Sequence, residues 1–255
     1  MLTKATIRLV TSLRQRKYRR QEGLFVAEGP RLIGELLPVF RCRLLLATEE
    51  WAKDNTAAIG VHPSEIITHD ELSRISALQT PQQVVALFEI PSFSAPDAPL
   101  LKGLHIALDG VQDPGNFGTI IRVADWFGIH HLWCSSQTAD VWNPKVVQAT
   151  MGGIARVQVH YVELPSFLSS LPSGFPVYDT KLDGQSLWHE PLSGDGIIVM
   201  GNEGNGVSDE VSALCQRHLF IPNYPSGQPT TESLNVAMAT GIVLAEFRRR
   251  QDIPM

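Results

Sequence analysis

The chain has 255 residues, 44% hydrophobic and 18% charged, with a formal net charge of −5. That apolar share suffices for a packed core and excludes a disordered, collagen-like or coiled-coil chain, while the acidic balance argues against a protein that coats nucleic acid through charge alone. No stretch reaches the ~18 apolar residues of a membrane span, and Cys42, Cys134 and Cys215 lie far apart without CxxC spacing, so the reading is a soluble cytoplasmic protein with reduced thiols and neither disulfide frame nor metal site.

Residues 1–20 contain Lys4, Arg8, Arg14, Arg16, Lys17, Arg19 and Arg20 with no acid, a local +7 that leaves the remaining chain at −12. The stretch lacks the continuous apolar segment and cleavage site of a secretory signal. Two readings stand side by side: an RNA-contacting cluster, with Arg14, Arg16, Lys17, Arg19 and Arg20 neutralising phosphates near Tyr18, or a solvated helix face. Next come an extended apolar run at Leu24–Ala27, helical spacing over Gly29–Leu37, and a strand at Leu44–Ala47. Glu65–Thr68 precedes a helix over Asp70–Ile75, and Val84–Phe88 is a further strand. Pro91, Pro96 and Pro99 then punctuate a stretch without periodicity. This predicts a small α/β domain at 1–90, a linker at 91–102 and a larger domain at 103–255.

From residue 103 strands and helices alternate. Strands are predicted at His105–Leu108, His131–Cys134, Val157–Tyr161, Val177–Asp179, Ile197–Met200 and His218–Ile221, and helices at about Asn116–Phe127 and Ser233–Arg250. Alternation of this kind builds a mostly parallel sheet with helices on both faces, and ligands then sit beyond the carboxyl ends of the strands. Arg248, Arg249 and Arg250 fall in the last helical turn, where cations oppose the negative end of the dipole.

Three strand-end loops carry candidate chemistry. In Asp109–Gly128, Asp113-Pro114-Gly115 makes a turn, Asn116 is placed to cap the next helix, and Arg122 lies within two turns of its start, either to hold a phosphate or ribose or to pair with Asp125. In Gly201-Asn202-Glu203-Gly204-Asn205-Gly206 the glycines let the backbone approach a ligand closely, in an order (GxxGxG) that is neither a dinucleotide fingerprint nor a Walker loop. In the third loop, before the last helix, Ser233 reads as the helix N-cap and Asn235 as a residue just inside it.

Taken together, D-G-V-Q-D-P-G-N-F-G-T-I-I-R with its FG ending, G-N-E-G-N-G, and I-P…E-S-L-N-V-A resemble the three motifs of the SpoU (TrmH-like) RNA 2′-O-ribose methyltransferases of the SPOUT superfamily. The first 90 residues resemble the small α/β RNA substrate-binding domain that often precedes this catalytic domain, mainly through order, size and the F-V-A-E-G-P-R run at Phe25–Arg31. The resemblance implies an S-adenosylmethionine-dependent transferase acting on ribosomal or transfer RNA, a deep trefoil knot threaded by the C-terminal helix, and a homodimer through the C-terminal domain. Carried over, the cofactor positions are Thr180, Gly201, Ile221 and Leu234, and the catalytic positions are Asn116, Arg122, Glu203, Ser233 and Asn235.

The high pKa of guanidinium makes Arg122 a poor free-standing base, so its expected role is to position ribose and phosphate and to stabilise the forming alkoxide. Glu203 and Asn116 orient Arg122 and the sugar, while Ser233 and Asn235 shape the third wall. One departure is a stretch between Ile221 and Ser233 about four residues longer than the family's compact loop, stiffened by Pro225 and Pro229, which bears on substrate identity. A catalytically silent RNA-binding scaffold of the same fold is the alternative; the intact set of five residues speaks against it.

Overall fold

The computed structural model describes residues 1–98, 101–225, 228 and 230–251. It divides into two compact units, one formed by Met1–Ser92 with Asp140–Ala155, the other by Phe93–Ala139 with Arg156–Met255. The stretch 140–155 thus groups with the first unit, although it falls inside the 103–255 domain expected from sequence. Pro99, in the predicted linker, lies outside the described residues.

The first unit begins with α1 (Lys4–Ser12), α2 (Arg16–Glu22), β1 (Leu24–Glu28), α3 (Pro30–Leu36) and β2 (Cys42–Ala47). It continues with α4 (Glu49–Asp54), α5 (Thr56–Val61), β3 (Ser64–Ile66), α6 (His69–Ile75) and β4 (Val84–Glu89). The strands form one sheet in the order β1-β4-β2-β3, antiparallel except for β2 with β3. Leu24–Ala27 of β1 are buried, as expected of an unbroken apolar run, and Glu28 is buried too, its carboxylate accepting from Ser76 and Ala77. Thr68 starts α6 through a reciprocal capping box with Glu71.

Asp140–Ala155 completes this unit's core. The Trp142 ring packs 4.6 Å from that of Phe25 and 5.9 Å from that of Phe40, extending an aromatic cluster that includes Phe88. Arg19, 2% exposed, donates to Asp140 Oδ2 at 2.5 Å and to the carbonyls of Leu13 and Arg14. A buried guanidinium needs such a partner set, because an unpaired charge in the interior costs several kcal/mol.

The second unit holds β5 (Leu104–Asp109), α7 (Pro114–Trp126) and β6 (His131–Cys134). After the 140–155 excursion, which carries α8 (Pro144–Ala149), come β7 (Gln158–Tyr161), α9 (Leu164–Ser169), β8 (Val177–Ser186), β9 (Gly196–Gly201), α10 (Asp209–Ser212), β10 (Arg217–Phe220) and α11 (Val236–Arg249). The six strands are all parallel, in the order β10-β8-β9-β5-β6-β7. Helices cover both faces: Phe167 of α9 stacks on Trp133 of β6, and Phe247 of α11 meets Tyr178 of β8 edge-on.

Strand order runs outward in both directions from the β5–β9 pair, so the loops leaving these two strands diverge at their carboxyl ends. Such a switch point opens a crevice in a parallel sheet. β8 extends beyond the predicted Asp179 to Ser186, and its pairing with β10 jumps between His218 and Leu219, leaving Thr180–Gly184 as an excursion at the same end of the sheet.

The C-terminal arginines do more than oppose the dipole. Arg249 and Arg250 both pair with the buried Glu246, Arg248 donates to the Phe127 carbonyl at the end of α7, and Arg250 reaches the carbonyls of Leu187, Trp188 and Glu190.

Candidate active site

A cavity of about 470 Å³ opens at the carboxyl ends of β8, β9 and β10. Its walls are the Thr180–Asp183 excursion, the Met200–Val207 loop, Leu219–Ile221 and the approach to α11 from Glu232 to Leu234. The sequence-predicted cofactor positions Thr180, Gly201, Ile221 and Leu234 all line it, as do Glu203 and Ser233. Four ionisable side chains face it: Lys181, Asp183, Glu203 and Glu232. Three carboxylates against one amine favour a ligand with a net positive charge.

Gly201 ends β9 where the chain folds back on itself. Asn202 and Gly206 exchange backbone hydrogen bonds of 2.9 Å in each direction, and a β-carbon on Gly201 would fall 2.1 Å from the Gly206 carbonyl carbon. The space freed by this glycine is therefore filled by the protein's own loop; the sequence reading had assigned it to a ligand. Gly206 closes the turn at φ +71°.

Glu203, carried out by this turn, meets the loop leaving β5. Its Oε1 accepts from Asn116 Nδ2 at 3.0 Å, and the amides of Gln112 and Asp113 point at the same carboxylate from 3.5 and 3.4 Å. Asn116 Oδ1 in turn accepts from Asn235 Nδ2 at 2.8 Å. Three catalytic candidates drawn from three loops therefore form one hydrogen-bonded chain, Asn235 to Asn116 to Glu203.

Two capping assignments change. Asp113, not Asn116, caps α7, accepting from the Asn116 amide at 2.7 Å, which frees the Asn116 side chain to face Glu203. Asn235, not Ser233, caps α11, its Oδ1 accepting from Ala237 and Met238. Ser233 stays two residues outside the helix, on the cavity wall.

Arg122 is exposed and absent from the cavity lining, and among the described residues it makes no ion pair or hydrogen bond. Asp125, the partner it might have taken at i+3, accepts instead from Arg156 at 2.8 Å. At about 100° per residue, the six residues from Asn116 to Arg122 turn the side chain well away from Glu203. It shares a face with Trp126 four residues on, which is 84% exposed.

In the basic cluster Arg14, Arg16, Lys17 and Arg20 are exposed, with Arg14 donating to the carbonyls of Ile75 and Ser76. Arg19 leaves the set of RNA contacts, since its guanidinium is buried on Asp140. The long 222–232 loop includes Ser226, Gly227 and Pro229, which lie outside the described residues, so the stiffening assigned to Pro229 falls there too. Among the described residues no helix is long and apolar enough to cross a membrane, and no group of three His, Cys, Asp or Glu side chains is placed to hold a metal ion.

Sequence reasoning places the Asn202 amide at the same rim as Glu203, but it missed the bridge that Asn202 makes to Gly110 and the role of Asp109. The Asn202 side chain bonds to Gly110, Gly204 and Asn205, and Asp109 accepts from Ser208 at the far end of the same loop. An asparagine next to a glycine signals a turn, but nothing local says which second loop it will reach.

Residues 103–245 match the model of the SpoU rRNA Methylase family, and residues 4–86 that of the MRM3-like substrate binding domain. The chain belongs to the SpoU rRNA methylase family. It is an S-adenosylmethionine-dependent RNA 2′-O-methyltransferase. The Bacillus subtilis 23S rRNA (guanosine(2553)-2′-O)-methyltransferase RlmP is 31% identical over 92% of this chain and 93% of its own length. Among solved structures, a TrmH-family protein from Porphyromonas gingivalis superposes with a TM-score of 0.85 at 44% identity, covering 98% of this chain and 99% of that one. An AdoMet-bound rRNA methyltransferase from Sinorhizobium meliloti gives 0.83 at 29% identity, over 98% and 97%. For a SpoU methylase the cavity suits its cofactor: three carboxylates against one amine line it, at the carboxyl ends of parallel strands.

Proposed function

We propose that the cavity bounded by Thr180, Gly201, Ile221 and Leu234 holds S-adenosylmethionine, and that the chain from Asn235 through Asn116 to Glu203 orients a ribose at its rim. The observation that carries this reading is that chain itself, because three strand-end loops place amide and carboxylate groups in mutual contact beside an acidic cavity. Bound there, the cofactor supplies a methyl group on a sulfonium, already a strong electrophile. The protein's residues then have to hold the 2′-hydroxyl in line and stabilise the oxygen as its proton leaves. Glu203 accepts from Asn116, so the Asn116 amide is fixed, and Ser233 stands on the cavity wall.

Arg122 serves as the cationic group for ribose and phosphate in a site shared between two copies of the chain. The support is its exposure on one face of α7 with Trp126, next to an α11 surface where Met238 is 63% exposed and Ala245 is also bare. Large exposed apolar side chains on two neighbouring helices are the kind of surface that a second copy would bury. The same reading has α11 threading a trefoil knot, residues 4–86 engaging structured ribosomal or transfer RNA through Arg14, Arg16, Lys17 and Arg20, and the protein working in the cytoplasm, where its buried thiols stay reduced.

Arg122→Ala is expected to reduce methyl transfer to RNA by about 10²–10³-fold while calorimetric affinity for S-adenosylmethionine stays within twofold. Mixing Arg122→Ala with Glu203→Gln protein is expected to restore part of the activity, since a mixed dimer holds one intact composite site. Full turnover by Arg122→Ala alone would end the assignment of Arg122, and mixtures as inactive as their components would end the shared site.

A further inference from the structure

Most of the polar groups at the cavity rim are accounted for by the roles above, but one fully committed side chain is not. Asn202 follows β9 directly, in register with the end of β5, where Asp109 pairs with Gly201. Its Nδ2 donates to the Gly110 carbonyl at 2.8 Å, across to the loop that leaves β5. Its Oδ1 accepts from the amides of Gly204 at 2.9 Å and Asn205 at 3.1 Å, which closes the turn carrying Glu203. One amide group thus shapes the Glu203 turn with its oxygen and ties that turn to the Asn116 loop with its nitrogen. At the far end of the turn, the buried carboxylate of Asp109 accepts from the Ser208 amide at 2.9 Å and hydroxyl at 2.7 Å. The turn is therefore pinned at both ends to the strand that precedes Asn116.

We propose that Asn202 is a positioning residue for the methyl-transfer site: by bridging the Gly110 and Gly204–Asn205 backbones, it sets where Glu203 meets Asn116. This rests on the role assigned to Glu203 above. Glu203 is exposed, and its two backbone contacts, at 3.4 and 3.5 Å, are long, so apart from the 3.0 Å bond from Asn116 neither burial nor a short bond of its own holds it in place. What fixes it is the frame formed by Asn202 on one side and the Asn116 contact on the other. Displacing a positioned group by about 1 Å costs on the order of 10²-fold in rate, so a loosened frame shows in turnover before it shows in stability.

The two functions of the amide can be separated. Asn202→Asp keeps oxygens for the Gly204 and Asn205 amides but loses the donor to Gly110, placing a carboxylate against a carbonyl; Asn202→Ala loses both. Methyl transfer to RNA would be measured together with calorimetric S-adenosylmethionine affinity, melting temperature, and hydrogen exchange of the Gln112 and Asp113 amides. Both variants are expected to lower kcat by about 10- to 100-fold and to speed exchange at Gln112 and Asp113; Asn202→Asp, which keeps the bonds that close the turn, is expected to leave cofactor affinity within twofold and the melting temperature near wild type. Three results would overturn the proposal. One is wild-type kcat in both variants. Another is a parallel loss of kcat, cofactor affinity and melting temperature in Asn202→Asp, which marks a merely structural residue. The third is a wild-type Asn202→Asp beside an impaired Asn202→Ala, which assigns the whole effect to the turn. Glu203→Gln in the same series separates the two readings: full turnover there removes Glu203 from the site, while the exchange rates still report whether Asn202 frames the loop.

Discussion

At the residue scale, Asn235 has two duties that pull in one direction. Its oxygen caps α11 and its nitrogen donates to Asn116, so a helix start and a site contact share one side chain. Asn235→Asp keeps a good cap and removes the donor, whereas Asn235→Ala removes both. Methyl transfer is expected to fall by roughly tenfold or more in each variant, since the Asn116 amide loses its support in both. Only the alanine variant is expected to lose stability as well, by about 1 kcal/mol. Thermal melts run beside methyl incorporation check this; an Asn235→Asp protein with full activity would show that the cap is the residue's whole contribution. The sequence marked Asn235 as unusual, because asparagine is a mediocre helix former, yet Ser233 looked equally suited to cap. Local chemistry does not choose between two capping-competent residues two positions apart. Asn116, 119 positions away, does.

At the element scale, the turn after β9 depends on the absence of a side chain at Gly201. A β-carbon there would overlap the Gly206 carbonyl carbon at 2.1 Å, and backbone cannot move aside as a flexible side chain would. Gly201→Ala is expected to open the Asn202–Gly206 turn, displace Glu203 and abolish calorimetric binding of S-adenosylmethionine, with far-UV circular dichroism close to wild type. Wild-type cofactor affinity in that variant would show that the turn is not a wall of the cofactor site. Helix α7 illustrates the other limit of element-level reading. Its boundaries were predictable to within two or three residues, and its buried face of Phe117, Ile120, Ile121 and Ala124 follows the helical period. The partner of Asp125 was not predictable, because Arg156 lies just before β7, beyond the strand that follows α7, and takes the carboxylate in place of Arg122 of the same helix.

At the scale of the whole molecule, pH acts on the far side of the sheet from the cavity loops. His105, His131 and His160 sit on the adjacent strands β5, β6 and β7, with His131 Nδ1 and His160 Nε2 3.0 Å apart and Trp133 stacked on His160. Burial is the main cause that lowers the pKa of all three, and that of His160 falls to about 4. The folded protein therefore keeps them neutral where the unfolded chain, with histidines near 6.5, takes up protons. Stability is expected to be complete above about pH 6.5 and to decline as the pH drops toward 4, and His160→Phe is expected to flatten that decline. Melting temperatures between pH 7 and 4.5 test it, and an unchanged slope in His160→Phe would remove the cluster as the cause. Glu246 does not compete in this window: hydrogen bonding from Arg249 holds its carboxyl down at about 2, so its contribution is lost only in stronger acid, between about 4.5 and 2.

The sequence by itself determined the alternation of strands and helices in the second unit, the parallel sheet this implies, and three strand-end loops whose resemblance to the SpoU motifs implies methyl transfer. These are short-range properties: periodicity, turn chemistry and the spacing of polar residues within a single loop. Tertiary structure alone decided which of those residues meet. It joined Glu203, Asn116 and Asn235, turned Arg122 onto an exposed face with Trp126, buried Arg19 on Asp140, and drew 140–155 into the first unit around Trp142. The physical reason is that Arg19 and Arg20 are adjacent arginines of one basic run, yet one is buried and paired and the other exposed. What separates them is the desolvation that a distant carboxylate compensates, and that carboxylate is 121 residues away.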